Sequence, residues 1–371
     1  GMALDDALIL VFPGPQSATG EDLVELHCHG GRAVISAVEA ALGASPGLRP
    51  AEAGEFTRRA LTNGRIDLAE AEGLADLLAA ETEAQRVAAL GAAEGRVSRA
   101  VEGWMERIAN LSARIEAALD FADEGEVGED PSWVREIGGA MHVLADEMAT
   151  VLAAPSVERL RDGIRVVLGG PPNSGKSTLL NLLAERDAAI VSPIAGTTRD
   201  RVECSVSRGG LPFVLTDTAG LAASTLDPVE AVGIDRARAA IERADLLVWL
   251  GDDKPPRADA IWVHARADLS GRSGELPPGR DLALAANRPD SIEDLWSVLT
   301  LRSRILVPSA NTIALHDRQR RLCEEALERL RHPWSNDLLV GAELLRQAHH
   351  PLAALLGRHA TEAMLDALFG R

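Results

Sequence analysis

Gly170-Pro171-Pro172-Asn173-Ser174-Gly175-Lys176-Ser177 decides how the middle of this sequence folds. The run fits G-x-x-x-x-G-K-[ST] at every fixed position. It follows an apolar strand, Ile164 to Leu168, and precedes a helix expected to open near Ser177. In that geometry backbone N–H groups wrap a phosphate, and the helix N-terminus adds positive potential. Lys176 reaches the β and γ phosphates, Ser177 ligates Mg²⁺, and Asn173, Ser174, Gly175 and Thr178 line the same cradle. A plain Gly/Pro-rich turn is the competing reading, and the Lys-Ser pair at the helix start makes it the weaker one. The ligand expected is a nucleoside triphosphate.

Downstream, Gly196-Thr197-Thr198-Arg199-Asp200 falls in a loop, where a threonine hydroxyl completes a Mg²⁺ shell and senses the γ-phosphate; Thr198 is expected in that role. A Gly209-Gly210 hairpin turn leads into a strand, Leu211 to Thr216, and then Asp217-Thr218-Ala219-Gly220. A D-x-x-G at a strand end puts Asp217 beside the metal and the Gly220 N–H near the γ-phosphate, with Thr218 and Ala219 in the same turn. Strands and helices alternate from Ile164 to about Leu301, the pattern of a parallel sheet with crossover helices. Between the strands Leu246 to Gly251 and Ala260 to His264 only a short Asp/Lys/Pro segment remains. A parallel crossover normally takes a dozen or more residues, so this connection is expected to be abbreviated or irregular.

The flanks differ in texture. Ala7 to Phe12 and Leu23 to His27 have strand character, Ala33 to Leu42 is helical, and turn signals at Pro13-Gly14-Pro15 and Gly30-Gly31 separate them. From Asp67 to about Leu160 the spacing is helical, with Leu68, Ala71, Leu74, Ala75 and Leu78 on one stripe, and helical periodicity returns from Asp317 to Phe369. The economical division of the 371 residues is a partial α/β domain (1–66), a helical domain (67–162 and 304–371) and an inserted α/β nucleotide domain (163–303). That insertion requires the helices on either side to pack together.

Composition narrows the function classes. The chain is 46% apolar, lacks Tyr, has 3% aromatic residues and carries 38 − 56 = −18 formal charges. A broad basic surface for nucleic acid and an extended base-stacking platform are therefore not expected, and any such contact is local or shared. Cys28, Cys204 and Cys323 read as reduced thiols, and no apolar span or signal-peptide pattern stands out, so a soluble cytoplasmic protein with no membrane partner is expected. His27-Cys28-His29 invites a zinc site, but adjacent residues on a strand point to opposite faces and no second ligand pair lies near in sequence.

Further runs flank the nucleotide motifs: Thr19-Gly20-Glu21-Asp22-Leu23-Val24-Glu25-Leu26-His27-Cys28-His29-Gly30-Gly31, Ala53-Gly54-Glu55-Phe56-Thr57-Arg58-Arg59-Ala60, and Asn63-Gly64-Arg65-Ile66-Asp67-Leu68-Ala69-Glu70-Ala71-Glu72. Together with the phosphate loop, GTTRD and DTAG, they make the chain resemble, over nearly its whole length, the tRNA-modification GTPase family called MnmE or TrmE. The resemblance implies a multidomain α/β plus all-α protein: a folate-binding N-terminal domain, a helical-bundle domain, and a P-loop GTPase (G) domain inserted within the latter. It implies GTP hydrolysis with Mg²⁺ and K⁺, homodimers, and transient dimerisation of G domains. It also implies modification of the tRNA wobble uridine at carbon 5 (carboxymethylaminomethyl), with a tetrahydrofolate derivative (5,10-methylene or 5-formyl) and an FAD-dependent partner, MnmG or GidA.

On matching positions, the family would have K⁺ held by Asn173 and by the loop from Ser192 to Thr198, through Ser192, Ile194 and Thr197. Leu221 follows the DTAG where Ras-like enzymes carry a water-positioning Gln, and Glu230 matches the family's catalytic glutamate, acting with Lys176. By its residue type alone, Glu230 also reads as a first-turn acid favoured by a helix dipole. Glu25 and Arg65 match folate-holding positions, where the family commonly has Lys in place of Arg65; either cation meets a glutamate tail. Arg58 and Arg59 read as solvated helix charges or as tRNA contacts.

Departures from the family pattern carry expectations of their own. The base-reading box N-K-x-D is Ala265-Arg266-Ala267-Asp268, the next box, usually S-A, is Ala285-Ala286-Asn287, and Leu221-Ala222 replaces a family Arg. Asp268 still accepts from the guanine N1 and N2 hydrogens, whereas the lost Asn removes a loop-bracing and base-edge contact, so a weaker guanine preference is expected. The sequence opens inside the family's first domain and stops at Phe369-Gly370-Arg371, before a Cys-x-Gly-Lys motif that none of the three cysteines matches. Two other readings remain: a nucleotide-binding scaffold with little turnover, motivated by the altered box and the shortened connection, and an Era-type ribosome-assembly GTPase, which explains neither flank.

Overall fold

The chain begins with two short strands, β1 (Leu8–Phe12) and β2 (Leu23–His27), paired antiparallel with Leu10 opposite Glu25, followed by helices α1 (Arg32–Gly43) and α2 (Glu55–Thr62). The computed structural model describes residues 3–123, 131–186, 203–218, 230–272, 275–310, 312–333 and 337–358. Next come α3 (Leu68–Ala79), α4 (Glu83–Ala93), α5 (Arg96–Asp123), α6 (Pro131–Leu152) and the single turn α7 (Glu158–Arg161). Local sequence sets the start of two of these. Asp67 with Glu70, and Thr82 with Gln85, form reciprocal capping boxes that satisfy the first N–H groups of α3 and α4.

The alternating region forms β3 (Ile164–Gly169), α8 (Lys176–Arg186), β4 (Glu203–Arg208), β5 (Leu211–Asp217), α9 (Glu230–Arg243), β6 (Leu246–Trp249), β7 (Ile261–His264), β8 (Leu282–Ala283) and α10 (Pro289–Ser303). The strands order as β4-β5-β3-β6-β7-β8, parallel except for β4, which joins β5 through the Gly209-Gly210 turn. Both turn glycines have positive φ, the backbone that a tight hairpin demands. Central β3 is buried at every position but Arg165, as expected of a strand covered on both faces. On one face Leu179 and Leu183 of α8 and Leu295, Trp296 and Leu299 of α10 pack with Val166, Leu168, Phe213 and Leu215. On the other, Ala240 and Ile241 of α9 pack with Val167 and Leu247.

Among the described residues two helices follow, α11 (Asp317–Arg331) and α12 (Leu338–Leu355). They pack on α6 and α5 respectively, closing one core from Ile108 and Ile115, Met141 and Leu144, Cys323 and Ala326, and Leu345 and Leu352. Helices from before and after the sheet thus share a core. The crossing segments are tied where they pass: Val157 N–H donates to Leu315 C=O at 3.3 Å, and Asp317 N–H to Glu158 Oε1 at 2.7 Å.

Two expectations are sharpened or overturned. Residues 250–260, between β6 and β7, contain no helix; Arg257 holds this link by donating to Ile241 C=O, Ala244 C=O and Asp259, and Trp249 Nε1 by donating to Asp253 C=O at 2.9 Å. The stripe on α3 is corrected. Ala75 is exposed and Leu78 is 81% exposed, while Leu68, Ala69, Ala71 and Gly73 are buried, because α3 lies close against α4 through small residues.

Candidate active site

β3 and β5 run parallel with Leu168 opposite Asp217, so the end of one strand delivers the glycine-rich loop and the end of the other delivers a carboxylate to the same edge. There Ser177, in the first turn of α8, donates from Oγ to Asp217 Oδ2 at 2.5 Å. Thr218 Oγ1 donates to Leu168 C=O at 2.9 Å and anchors the turn after Asp217 to β3. Lys176 is only 4% exposed, and its Nζ donates to Gly170 C=O (3.0 Å) and Pro171 C=O (2.8 Å). Burial lowers the Lys176 pKa, opposed by the nearby Asp217 carboxylate. An ammonium held by two neutral carbonyls in a desolvated loop gains from an anion. Ser174 Oγ is buried in the same loop and has no hydrogen-bond partner among the described residues, which suits a cradle built around a phosphate. The hydroxyl and carboxylate of Ser177 and Asp217 are hard oxygen donors of the kind Mg²⁺ takes.

A cavity of about 320 Å³ adjoins the loop. Asn173, Ser174, Gly175 and Thr178 form its wall on the phosphate side; Ala265, Arg266, Asp268 and Leu269, following β7, and Leu284, Ala285 and Ala286, following β8, form the rest with Leu179, Leu182, Leu250 and Ile292. The volume suits a small-molecule site. Its loops are braced: Ala267 N–H donates to Leu284 C=O at 2.9 Å, Ser291 Oγ accepts from Ala285 N–H at 3.2 Å and donates to Arg288 C=O at 2.7 Å, and Arg272 Nε donates to Ala265 C=O at 2.9 Å. Arg266 Nη1 donates to the Asn173 carbonyl at 3.0 Å. Sequence reasoning missed Arg266, although its place in the altered N-K-x-D box was a signal.

The structure therefore brings Asn173, Ser174, Gly175, Lys176, Ser177, Thr178, Asp217, Thr218 and Asp268 to one end of the sheet. Ser192, Ile194, Thr197, Thr198, Ala219 and Gly220 lie outside the described residues. Glu230 is the first residue of α9.

The folate candidates are not joined in this way. Glu25 Oε2 lies 2.8 Å from His27 Nε2, Arg65 packs its Cγ close to Gly20, and no hydrogen bond links Glu25 to Arg65 among the described residues. His29 is engaged by a different carboxylate, Asp5, through its ring Nδ1 and its backbone N–H, both at 2.8 Å. Among the described residues no three His, Cys, Asp or Glu side chains group as a metal centre. Arg59 donates to Glu55 and Glu21. With Arg49, the Glu52 backbone N–H and Arg59 around it, the Glu55 carboxyl is held well below the usual carboxylate range. Among the described residues no helix is long and apolar enough to cross a membrane.

The family model described as the MnmE helical domain matches residues 68–371, and that of the GTP-binding protein TrmE N-terminus matches residues 1–65. Similar proteins include the tRNA modification GTPase MnmE of Erythrobacter litoralis, 52% identical over 373 residues, covering 100% of this chain and 87% of the relative. Those of Rhizorhabdus wittichii (53%) and Sphingopyxis alaskensis (50%) also span 100% of this chain, and 83% and 91% of their own lengths. With a phosphate loop, an Asp217–Ser177 pair and a match along its whole length, the chain belongs to the MnmE family of tRNA modification GTPases.

Proposed function

We propose that this protein is a GTPase acting in tRNA modification, with GTP seated in the cavity between the phosphate loop and the loops that follow β7 and β8. The observation that carries the reading is the convergence of Lys176, Ser177 and Asp217 at the loop whose Asn173, Ser174 and Gly175 also wall the cavity holding Asp268. Lys176 exchanges its two loop carbonyls for phosphate oxygens, and Ser177 and Asp217, with Thr198, hold Mg²⁺. The amide of Asn173, with Ser192, Ile194 and Thr197, holds K⁺. When bound, these cations neutralise charge developing on the transferred phosphate, as an arginine finger does elsewhere. Glu230, opening α9, orients the attacking water by accepting its hydrogen. At the base, Asp268 accepts from guanine N1 and N2, while Ala265 and Ala285 offer no side-chain bond, so guanine selectivity rests on few contacts.

In this reading residues 163–303 form a G domain inserted in a helical domain (67–162 and 304–371), after a folate-binding domain (1–66) in which Glu25 and Arg65 hold a tetrahydrofolate derivative. The chain works in the cytoplasm as a homodimer, pairs its G domains during turnover, and serves wobble-uridine C5 modification with the FAD-dependent MnmG (GidA) protein. Calorimetry with GTP, ATP and XTP tests the nucleotide reading. Tighter binding of GTP than ATP, moved toward XTP by Asp268→Asn, is expected; equal affinity for all three favours the scaffold reading instead.

A further inference from the structure

A second cavity, of about 430 Å³, lies where the residues that lead into α3, the first turn of α5 and the residues that follow α12 meet. Its walls are tied together. Leu68 N–H donates to Leu356 C=O at 3.2 Å, and Gly357 lies so close to α3 that a Cβ there would stand 2.9 Å from Leu68 Cβ. Gly95, with φ +80°, turns the chain into α5 and brings Ser98 and Arg99 to the cavity. Among the described residues none of the nucleotide motifs lines it, and neither does Glu25.

Ser98 is 5% exposed, and its Oγ has no hydrogen-bond partner among the described residues. A helical serine often returns its hydroxyl to the carbonyl four positions back. For Ser98 that is the Glu94 carbonyl, which already accepts from Arg99 Nη1 at 2.6 Å. A buried hydroxyl left without a bond costs about 1–3 kcal/mol, and a ligand oxygen at this wall removes that cost.

Charge points the same way. The carboxylates of the wall are engaged within it: Glu102 Oε1 accepts from Arg358 Nη2 at 2.5 Å, Glu70 Oε2 from Asp67 N–H at 2.9 Å, and Asp67 Oδ1 from Glu70 N–H at 2.9 Å. The cations are not all engaged. Among the described residues Arg99 uses Nη1 alone, and the Arg65 guanidinium makes no hydrogen bond. The first-turn N–H groups of α5, a 28-residue helix, add the positive end of its dipole.

We propose that this cavity is an oxyanion site that takes a small ligand by its phosphate or carboxylate group. Ser98 Oγ donates to one oxygen, the first turn of α5 faces another, and the planar fork of Arg99 meets a pair of oxygens such as either group presents. The volume suits a metabolite rather than a bare ion. Arg65, given above to a tetrahydrofolate, stands in the wall, so the ligand lies beside that site and not in it. The cavity needs neither the guanine-nucleotide reading nor Glu25.

Peptide-resolved hydrogen exchange of the full chain tests this, with inorganic phosphate and succinate as probes at equal ionic strength. Residues 94–103 report the cavity and residues 170–178 the phosphate loop in the same sample, so phosphate held by Lys176 is told apart. A probe that fits should slow exchange in 94–103 of the parent, and the one that does so at the lower concentration identifies the group. Arg99→Gln should raise the half-saturating concentration by at least about tenfold, and Ser98→Ala by roughly threefold to tenfold. Ser98→Ala should melt at or above the parent, since it removes an unbonded buried hydroxyl, which separates lost binding from lost fold. Absence of slowing with both probes at tens of millimolar, or slowing that neither substitution moves, overturns the proposal and leaves the cavity to water. Displacement of the probe by 5-formyltetrahydrofolate overturns it as a separate site. Failure of GTP to slow exchange in 170–178 contradicts the proposed function instead, and leaves the result at 94–103 standing.

Discussion

His316 Nε2 lies 3.0 Å from Asp76 Oδ2, joining the residue that opens α11 to the third turn of α3 where the chain returns from the sheet. Its other ring nitrogen, Nδ1, is 3.7 Å from Glu158 Oε1 on α7, so one imidazole bridges three elements. Glu72 of α3 faces the same site and is bound by Arg318 at 2.7 and 2.9 Å and by Gln319 at 2.7 Å; Arg161 of α7 adds a cation. Burial alone would lower the His316 pKa, but its hydrogen bond to Asp76 and the nearby Glu158 carboxylate outweigh this and push the pKa up to about 9.

That shift gives a signed pH dependence. A histidine raised from 6.5 to about 9 contributes stability that is fully present below pH 6.5 and is lost as pH rises through about 9. Denaturant unfolding of the parent between pH 6 and 10 should show a loss on the order of 2–3 kcal/mol across this window. His316→Gln should start less stable and lose little over the same range. A parent whose stability stays level from pH 7 to 10 would contradict the protonated bridge.

Lys176 bears on nucleotide binding rather than on the stability of the fold. Its ammonium bonds two carbonyls of its own loop, so Lys176→Ala removes charge without opening a core. Charge-assisted bonds of roughly 1.5–3 kcal/mol predict a fall in GTP affinity of at least about tenfold with little change in thermal midpoint. Calorimetry paired with a melting curve checks both halves.

Gly73 reports on packing. A Cβ there would meet Ala93 N at 2.5 Å and Ala92 C at 2.7 Å, backbone atoms of α4 that cannot swing aside. Gly73→Ala should therefore cost about 1–3 kcal/mol through overpacking, despite the better helix propensity of alanine. A thermal midpoint at or above the parent's would show that α3 and α4 part easily.

The phosphate loop was legible because its chemistry fixes residue types at fixed spacing: Gly170, Lys176 and Ser177 are required one by one. The irregular link between β6 and β7 was legible for a simpler reason, since too few residues remained for a helix. The buried face of α3 was not. Leu74 and Leu78 fit an apolar stripe, but which face of a helix is covered depends on its neighbours, and α4 offered Ala92 and Ala93 to the side carrying Gly73. His316, Asp76 and Glu158 were equally hidden, because no periodicity links three polar residues on separate helices. Arg266 lay between these cases: its box was recognised, but its bond to Asn173 is a tertiary contact. The roles given to Glu230 and to the loop from Ser192 to Thr198 rest on resemblance.

GTP turnover measured in KCl against NaCl at equal ionic strength, for the parent and Glu230→Ala, tests the central claim most directly. The account predicts hydrolysis faster in K⁺ by on the order of tenfold or more, and loss of most of it in Glu230→Ala with nucleotide affinity retained. Equal rates in both salts, with no effect of the substitution, would contradict it.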